Sequence, residues 1–211
     1  MTGSDVSTAA SVTLNFARWR KPFSRVIGAA FIALLVLTDS PPSPLLDLTA
    51  KISGILLIGA AVLGRIWCAL YIAGRKNAEL CIDGPYSICR NPLYVFSFFG
   101  AVGFAFAIGA LPLGLALVPL FWGYHHFVIK AEEAHLRSLF GTAYADYCAK
   151  VPRLFPMPSL YWSRSRLTID LHNTLRALSE VAWFLVALAI AEVIGHLRGG
   201  DLIPTIFTWP F

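Results

Sequence analysis

The 211-residue sequence predicts an all-α fold: a polytopic membrane helical bundle of about five transmembrane helices, with a tight helical hairpin and a cytoplasmic N-terminus. Three observations carry that prediction. Apolar residues make up 57% of the chain and charged residues 14%, and mean hydropathy is +0.66, so there is too little charge to clothe a soluble globule. The run from Asn91 to Ile129, 39 residues, contains no Asp, Glu, Lys or Arg. The 17 Lys and Arg divide unevenly between the two sides of the apolar segments. The same composition excludes a disordered chain, a collagen-like fibre and a disulfide scaffold, since apolar content is high, glycine has no three-residue period and cysteines number only four.

Taken in chain order, residues 1–21 read as an N-terminal cytoplasmic tail without a cleavable signal pattern, and residues 22–211 as one membrane domain. The first expected span is 22–38, with Arg25 snorkelling to the interface, and the second is 52–74, interrupted by Arg65. The uncharged run is too long for one crossing: as a single helix it would reach roughly 58 Å, against a bilayer core of about 30 Å. Gly109-Ala110-Leu111-Pro112-Leu113-Gly114 supplies the break, giving spans over 92–109 and 112–129 that fold back on each other. A fifth segment, 174–197, either spans or packs half-buried against the bundle, because Glu180 and Glu192 flank its apolar centre. The tail from Leu202 to Phe211, with Trp209 and two prolines, reads as an interfacial segment on the outer side.

In this layout 14 of the 17 Lys and Arg fall on one side, only Lys51 and Arg198 on the other, and Arg65 within a span. The positive-inside rule places the N-terminus and both long loops in the cytoplasm, so the net charge of +5 reports orientation and a nucleic-acid partner is not expected. The expected location is a bacterial inner membrane, with the working face toward the cytoplasm. Cys81, Cys89 and Cys148 lie on the cytoplasmic side and Cys68 within a span, so no disulfide is expected. Without a C-x-x-C pair, or a partner for His125-His126 at zinc-site spacing, no metal site is expected either.

Polar residues concentrate in two clusters. In Gly84-Pro85-Tyr86-Ser87-Ile88-Cys89-Arg90-Asn91-Pro92-Leu93-Tyr94 a Gly-Pro turn leads to a helix start marked by Pro92. The N–H groups and positive dipole end at that start suit a carboxylate or another anion, and Arg90 adds a planar donor fork. Arg90 reads equally as an interfacial anchor, and Tyr86 and Tyr94 as belt aromatics. The second cluster runs from Glu132-Glu133 through Leu136, Phe140-Gly141, Tyr144 and Tyr147 to Val151-Pro152-Arg153. Adjacent carboxylates diverge by about 100° on a helix, so one can face the bundle and the other water. The hairpin turn brings both clusters to the same membrane face.

Together the clusters resemble the signature of the isoprenylcysteine carboxyl methyltransferase and phospholipid methyltransferase superfamily: Gly-x-Tyr-x-x-x-Arg-His-Pro-x-Tyr, an apolar hairpin, Glu-Glu-x-x-Leu, Phe-Gly-x-x-Tyr-x-x-Tyr and a Val-Pro element. The resemblance covers Ala78 to Arg153. It implies S-adenosylmethionine as cofactor at the cytoplasmic face and a lipophilic acceptor entering from the bilayer. Carried over by position, the cofactor contacts are Ala78, Glu79, Leu80, Cys81, Tyr86, Asn91, Pro92, Leu93, Tyr94 and Glu132. Asn91 stands where the family has His, and Val128 where the prenylcysteine enzymes place Arg, with His125, His126 and Lys130 nearby. Arg90, Glu133 and His126 are the catalytic candidates; His126 or Glu133 would serve as base for an amine or phenol acceptor, while a carboxylate acceptor needs none.

The function expected is therefore methyl transfer from S-adenosylmethionine to a lipophilic substrate, isoprenylcysteine carboxyl O-methyltransferase-like. Phospholipid N-methylation, a sterol-reductase-like NADPH enzyme and a non-enzymatic bundle are the alternatives. Arg65 reads either as a snorkelling or paired residue or as one near the substrate. Ser97, Ala101, Ala105 and Gly109 form a small-residue stripe suited to close helix packing, and Glu192 and His196 an i,i+4 pair.

Overall fold

A computed structural model of the chain describes residues 38–39, 43–109, 111–199 and 207–208. The expected tail 1–21, the span 22–38 except for its last residue, and most of the C-terminal tail lie outside the described residues. The helices are α1 (Pro44–Ile72), the one-turn α2 (Pro85–Ile88), α3 (Pro92–Ala107), α4 (Leu111–Lys150) and α5 (Leu171–Gly199), with a 3-10 turn at Pro158–Leu160. The only strands among the described residues are β1 (Thr38–Asp39) and β2 (Phe207–Thr208), paired in parallel with Thr38 opposite Phe207.

Helix α1 begins eight residues before the expected span. Ser43 caps it by accepting from the Leu46 N–H, Pro44 occupies a first-turn position, and Asp47 pairs with Lys51 at 2.9 Å. Among the described residues it is the one helix long and apolar enough to cross a membrane, with mean hydropathy 2.1 over its most apolar window. Helix α3 is apolar but has only 16 residues, about 24 Å of rise. It stops at Ala107, earlier than expected, because Gly109 takes a left-handed φ of +76° and ends the helix in the manner of a C-terminal glycine. The chain then re-enters helix at Leu111, so the expected hairpin is present.

Helix α4 extends well beyond the expected 112–129 boundary. Its apolar first half runs directly into the polar Lys130–Phe140 segment, and Gly141 (φ +51°, ψ −120°) breaks the axis before the chain continues helically to Lys150. That break turns the final segment back toward α2, which is how Tyr144 and Tyr147 become buried. Helix α5 is opened by Asp170, whose carboxylate accepts from the Asn173 N–H at 2.9 Å.

The tightest packing is between α1 and α3. A Cβ on Gly54 would lie 2.3 Å from the Ala107 nitrogen, and one on Gly103 would lie 2.8 Å from the Gly54 carbonyl oxygen, so the backbones touch directly. The contact runs along Gly54, Gly103 and Ala107, beside the stripe expected from Ser97, Ala101, Ala105 and Gly109; Ala105 is nevertheless fully buried. Outward faces carry large apolar side chains: Leu56 on α1 and Leu115 and Leu120 on α4 are each 68% exposed. A helix apolar on its outer face has hydrocarbon as its solvent.

Replacing Gly54 with Val should force α1 and α3 apart against backbone that cannot yield. The expected cost is about 1–3 kcal/mol, read as a lower thermal midpoint in detergent, whereas Gly59→Val, with open space around it, should leave the midpoint unchanged.

Candidate functional site

Where α1 ends, its last turn, the loop to α2, the start of α3, the polar stretch of α4 and the first turns of α5 surround a cavity of about 510 Å3. That volume is in the range of sites for small ligands.

The wall built from residues 83–94 is fixed by glycine and by hydrogen bonds to a distant segment. Gly84 has φ +59°, and a Cβ there would strike the Tyr71 ring. Pro85 starts α2, and the Ser87 hydroxyl donates to the Gly84 carbonyl at 2.7 Å and accepts from the Trp162 N–H at 3.1 Å. The Arg90 N–H donates to the Pro152 carbonyl at 2.9 Å, and the Met157 N–H to the Ile88 carbonyl at 2.9 Å. Tyr147 donates to the Tyr86 carbonyl at 2.6 Å. Residues 84–91 are thus clamped by 147–162, far away in sequence.

Charged groups organise the rim. The Glu132 carboxylate accepts from the Tyr94 hydroxyl at 2.9 Å and pairs with Lys76 at 3.1 Å. Glu133 points the other way, to Arg90 at 3.4 Å, Arg153 at 3.2 Å and the Asn91 amide at 3.3 Å. Neither carboxylate is simply a water-facing group, in contrast to the expected division of one for the bundle and one for solvent. Asp83 is wholly buried and held by Arg75 at 3.3 Å and Arg164 at 3.1 Å. Arg75 also pairs with Glu79.

Of the residues expected to touch a cofactor, Glu79, Leu80, Cys81, Tyr86, Asn91, Leu93, Tyr94 and Glu132 line the cavity. Ala78 and Pro92 do not line it: Ala78 sits in the exposed loop and Pro92 is buried behind the wall at the start of α3. Among the catalytic candidates Arg90 lines the cavity, while Glu133 sits behind it as the partner of Arg90 and Arg153. His126 is exposed on α4 beside Phe127 and away from the cavity. Arg65 lines the cavity and donates to the Ser97 hydroxyl.

Several lining residues had no assigned role in the sequence. Lys76 looked like one more orientation charge, Tyr144 and Tyr147 were motif letters without a task, and Asn173 carried no signal. Asp83 lies just outside the two polar clusters of the sequence, and its spatial neighbours Arg75 and Arg164 make it a buried tie between two segments.

Burial sets the protonation of several groups. It raises the Tyr86 phenol well above its ordinary value, with the neighbouring cysteines and Glu132 adding to the effect, so this side chain is a neutral donor. Its hydroxyl is buried with no hydrogen-bond partner among the described residues, and the side chain lines the cavity. Burial likewise pushes the Tyr147 phenol up and the Cys89 thiol up to about 11, while the Cys81 thiol is raised in the same direction.

Comparison with known proteins finds a family profile and several relatives. The phospholipid methyltransferase family profile matches residues 49–143. A nickel-cobalt-cadmium resistance protein of Alcaligenes xylosoxydans xylosoxydans is 36% identical over 157 residues, 74% of this chain and 73% of the relative. A cobalt-zinc-cadmium resistance protein of Cupriavidus metallidurans is 39% identical over 155 residues, 74% of this chain and 71% of the relative. Protein-S-isoprenylcysteine O-methyltransferase of Schizosaccharomyces pombe is 34% identical over 88 residues, 41% of this chain and 37% of the relative. No solved structure matches the chain significantly. Outward apolar faces and a membrane-enzyme profile define a membrane protein of methyltransferase type. More particularly, the chain belongs to the isoprenylcysteine carboxyl methyltransferase and phospholipid methyltransferase superfamily.

Removing Glu133 should leave Arg90 and Arg153 without their shared carboxylate. Glu133→Ala is expected to cost about 3 kcal/mol, the low end for a broken buried pair because Arg153 is partly exposed, measurable by chemical unfolding in mixed micelles. The Cys89 thiol gives a pH prediction. Its folded value lies above the ordinary 9.0, so the neutral form is favoured and its stabilisation is complete below pH 9 and lost as pH rises toward 11. Cys89→Ser should flatten that alkaline loss, and at neutral pH a maleimide should label the half-exposed Cys148 well before Cys89.

Proposed function

We propose that the chain transfers the methyl group of S-adenosylmethionine to a lipophilic acceptor that enters from the bilayer, at the cytoplasmic face of a bacterial inner membrane. The observation that carries this reading is the Tyr86 hydroxyl, a buried neutral donor without a partner among the described residues, on the wall of a cavity whose rim holds the Glu132 carboxylate. Such a pair suits a nucleoside: hydroxyls donate to the carboxylate, and the phenol donates to a heteroatom acceptor. The first turn of α3 has no side-chain cap; Pro92 lacks an N–H and the Tyr94 N–H donates to the Asn91 carbonyl, so the Leu93 N–H, on the cavity wall, is the helix-start donor offered to an amino-acid carboxylate.

When bound, the sulfonium donor supplies an already activated methyl group. The protein's part is then to position and to exclude water. Glu132 is held in place by Tyr94 and Lys76 from two different segments, so its oxygens are fixed before a ligand arrives. Arg90 and Asn91 are fixed by Glu133, the Pro152 carbonyl and the Arg153 carbonyl, which keeps the start of α3 at one distance from α4. Ala177 and Val181 of α5 close the apolar side. His126, being exposed and outside the cavity, takes no part in this proposal, and Glu133 acts as a positioning residue for Arg90.

The names of two relatives associate those proteins with resistance to nickel, cobalt, zinc and cadmium. In this reading the present chain would contribute to such a response by modifying a membrane-soluble acceptor.

Thermal denaturation of the full chain in neutral detergent tests the proposal. S-adenosylmethionine and S-adenosylhomocysteine should each raise the midpoint, and NADPH should not; the opposite pattern would defeat it in favour of a reductase. Glu132→Gln is expected to weaken S-adenosylhomocysteine binding by about 10–100-fold and Tyr86→Phe by about 3–10-fold, the ranges for one charged and one neutral hydrogen bond.

A further inference from the structure

We propose that residues 154–162 form an interfacial anchor: the segment lies in the headgroup layer of the bilayer, at the end where α1 leaves the hydrocarbon, and its partner is the lipid surface itself. The proposal stands apart from methyl transfer. Leu154-Phe155-Pro156-Met157-Pro158-Ser159-Leu160-Tyr161-Trp162 holds no Asp, Glu, Lys or Arg, and it is bracketed by Arg153 on one side and by Arg164 and Arg166 on the other. Phe155 is 86% exposed, and Met157, Tyr161 and Trp162 are each about half exposed. So much exposed apolar surface in one short stretch marks an interaction site.

These side chains cannot fold away from their surroundings, because the backbone is pinned. The Met157 N–H donates to the Ile88 carbonyl and the Trp162 N–H to the Ser87 hydroxyl, while the Trp162 carbonyl accepts from the Gly84 N–H. The 3-10 turn adds N–H donation from Leu160 to the Met157 carbonyl and from Tyr161 to the Pro158 carbonyl. Pro156 and Pro158 have no N–H to pair. The stretch thus brings few open donors into a medium of low polarity, where an unpaired one is costly.

Depth follows from α1. Trp67, Tyr71 and Arg75 occur at intervals of four, and each meets the same returning segment. The Trp67 ring lies 6.1 Å from that of Tyr161, the Tyr71 hydroxyl is hydrogen-bonded to the Ser163 hydroxyl at 2.6 Å, and Arg75 shares Asp83 with Arg164. Both segments therefore pass together from aromatic ring to hydroxyl to charge, the order met on crossing a membrane boundary outward. One turn before Trp67, Leu63 is 70% exposed, so the aromatic loop continues the hydrocarbon-facing surface of α1. Past the boundary, Arg164 and the exposed Arg166 stand at the level of the lipid phosphates, where positive charge is favoured. Continuity with the hydrocarbon-facing surface and the flanking arginines favour lipid over a soluble partner.

The test uses the full chain with Cys148→Ser, which removes the half-exposed thiol, in bilayer discs of phosphatidylcholine and phosphatidylglycerol. A nitroxide is attached in separate proteins at Phe155→Cys, Met157→Cys and Ser165→Cys. Its relaxation by oxygen, which concentrates in lipid, is compared with its relaxation by a water-soluble nickel chelate. Labels at 155 and 157 should respond chiefly to oxygen and report a depth of about 5–10 Å below the phosphates. The label at 165 should respond chiefly to nickel. Equal nickel access at all three positions overturns the proposal and leaves the face to water or a soluble partner. Shielding of 155 and 157 from both reagents also overturns it, since a second copy then covers the loop, and so does oxygen-dominated relaxation at all three, which puts no boundary between them. Phe155 and Met157 both lie on the exposed side, so if one of these variants fails to fold the other decides.

Discussion

The carboxylate of Glu133 is the point on which the polar end of the molecule depends. It gathers Arg90, Arg153 and the Asn91 amide, three groups drawn from the loop before α3 and from the segment after α4. A buried pair stabilises only when its remaining hydrogen-bonding capacity is met, and here the surroundings meet it: Arg90 also donates to the Cys148 carbonyl and Asn91 to the Arg153 carbonyl. The same segments are joined again by the backbone bonds from Arg90 to Pro152 and from Met157 to Ile88. One acid therefore closes a loop of more than forty residues and fixes the wall of the cavity against α4.

That closure would be useless without the hairpin. Gly109 ends α3 and lets the chain start α4 two residues later, which returns Glu132 and Glu133 to the level of Arg90 and Tyr94. Gly141 then performs a second reversal and brings Tyr144 and Tyr147 under α2. Two glycines in the left-handed region thus determine which polar groups meet, because any Cβ there would be strained. The direct backbone contact of α1 with α3, at Gly54, Gly103 and Ala107, holds together the two helices whose other ends line the cavity.

Much of this was legible in the sequence, and the reasons are physical. A 39-residue uncharged run cannot cross once, so the hairpin and its glycine break follow from length alone. The meeting of Tyr94 with Glu132 and of Asn91 with Glu133 follows from that hairpin plus two motifs. Helix ends were less legible: the cap at Ser43-Pro44 extends α1 backward, and α4 runs on from its apolar first half into the polar stretch without a break. Residues whose importance lies in their neighbours stayed hidden. Asp83 lies just outside both polar clusters and gains its meaning only once Arg75 and Arg164 are seen beside it, and Asn173 reads as polar surface until α5 is placed over the cavity. His126 shows the converse, since its chemistry was suggestive and its helical face turns it outward.

The pairing of Lys76 with Glu132 has a consequence for how the rim fills and empties. Lys76 is carried on the loop after α1 and its side chain is 61% exposed, whereas Glu132 is on α4 and half as open. A cationic ligand that takes the carboxylate displaces an ammonium already half in water, so the cavity exchanges one counter-ion for another and its net charge does not change. The protein's own side chain thus competes with any cationic group for the Glu132 carboxylate.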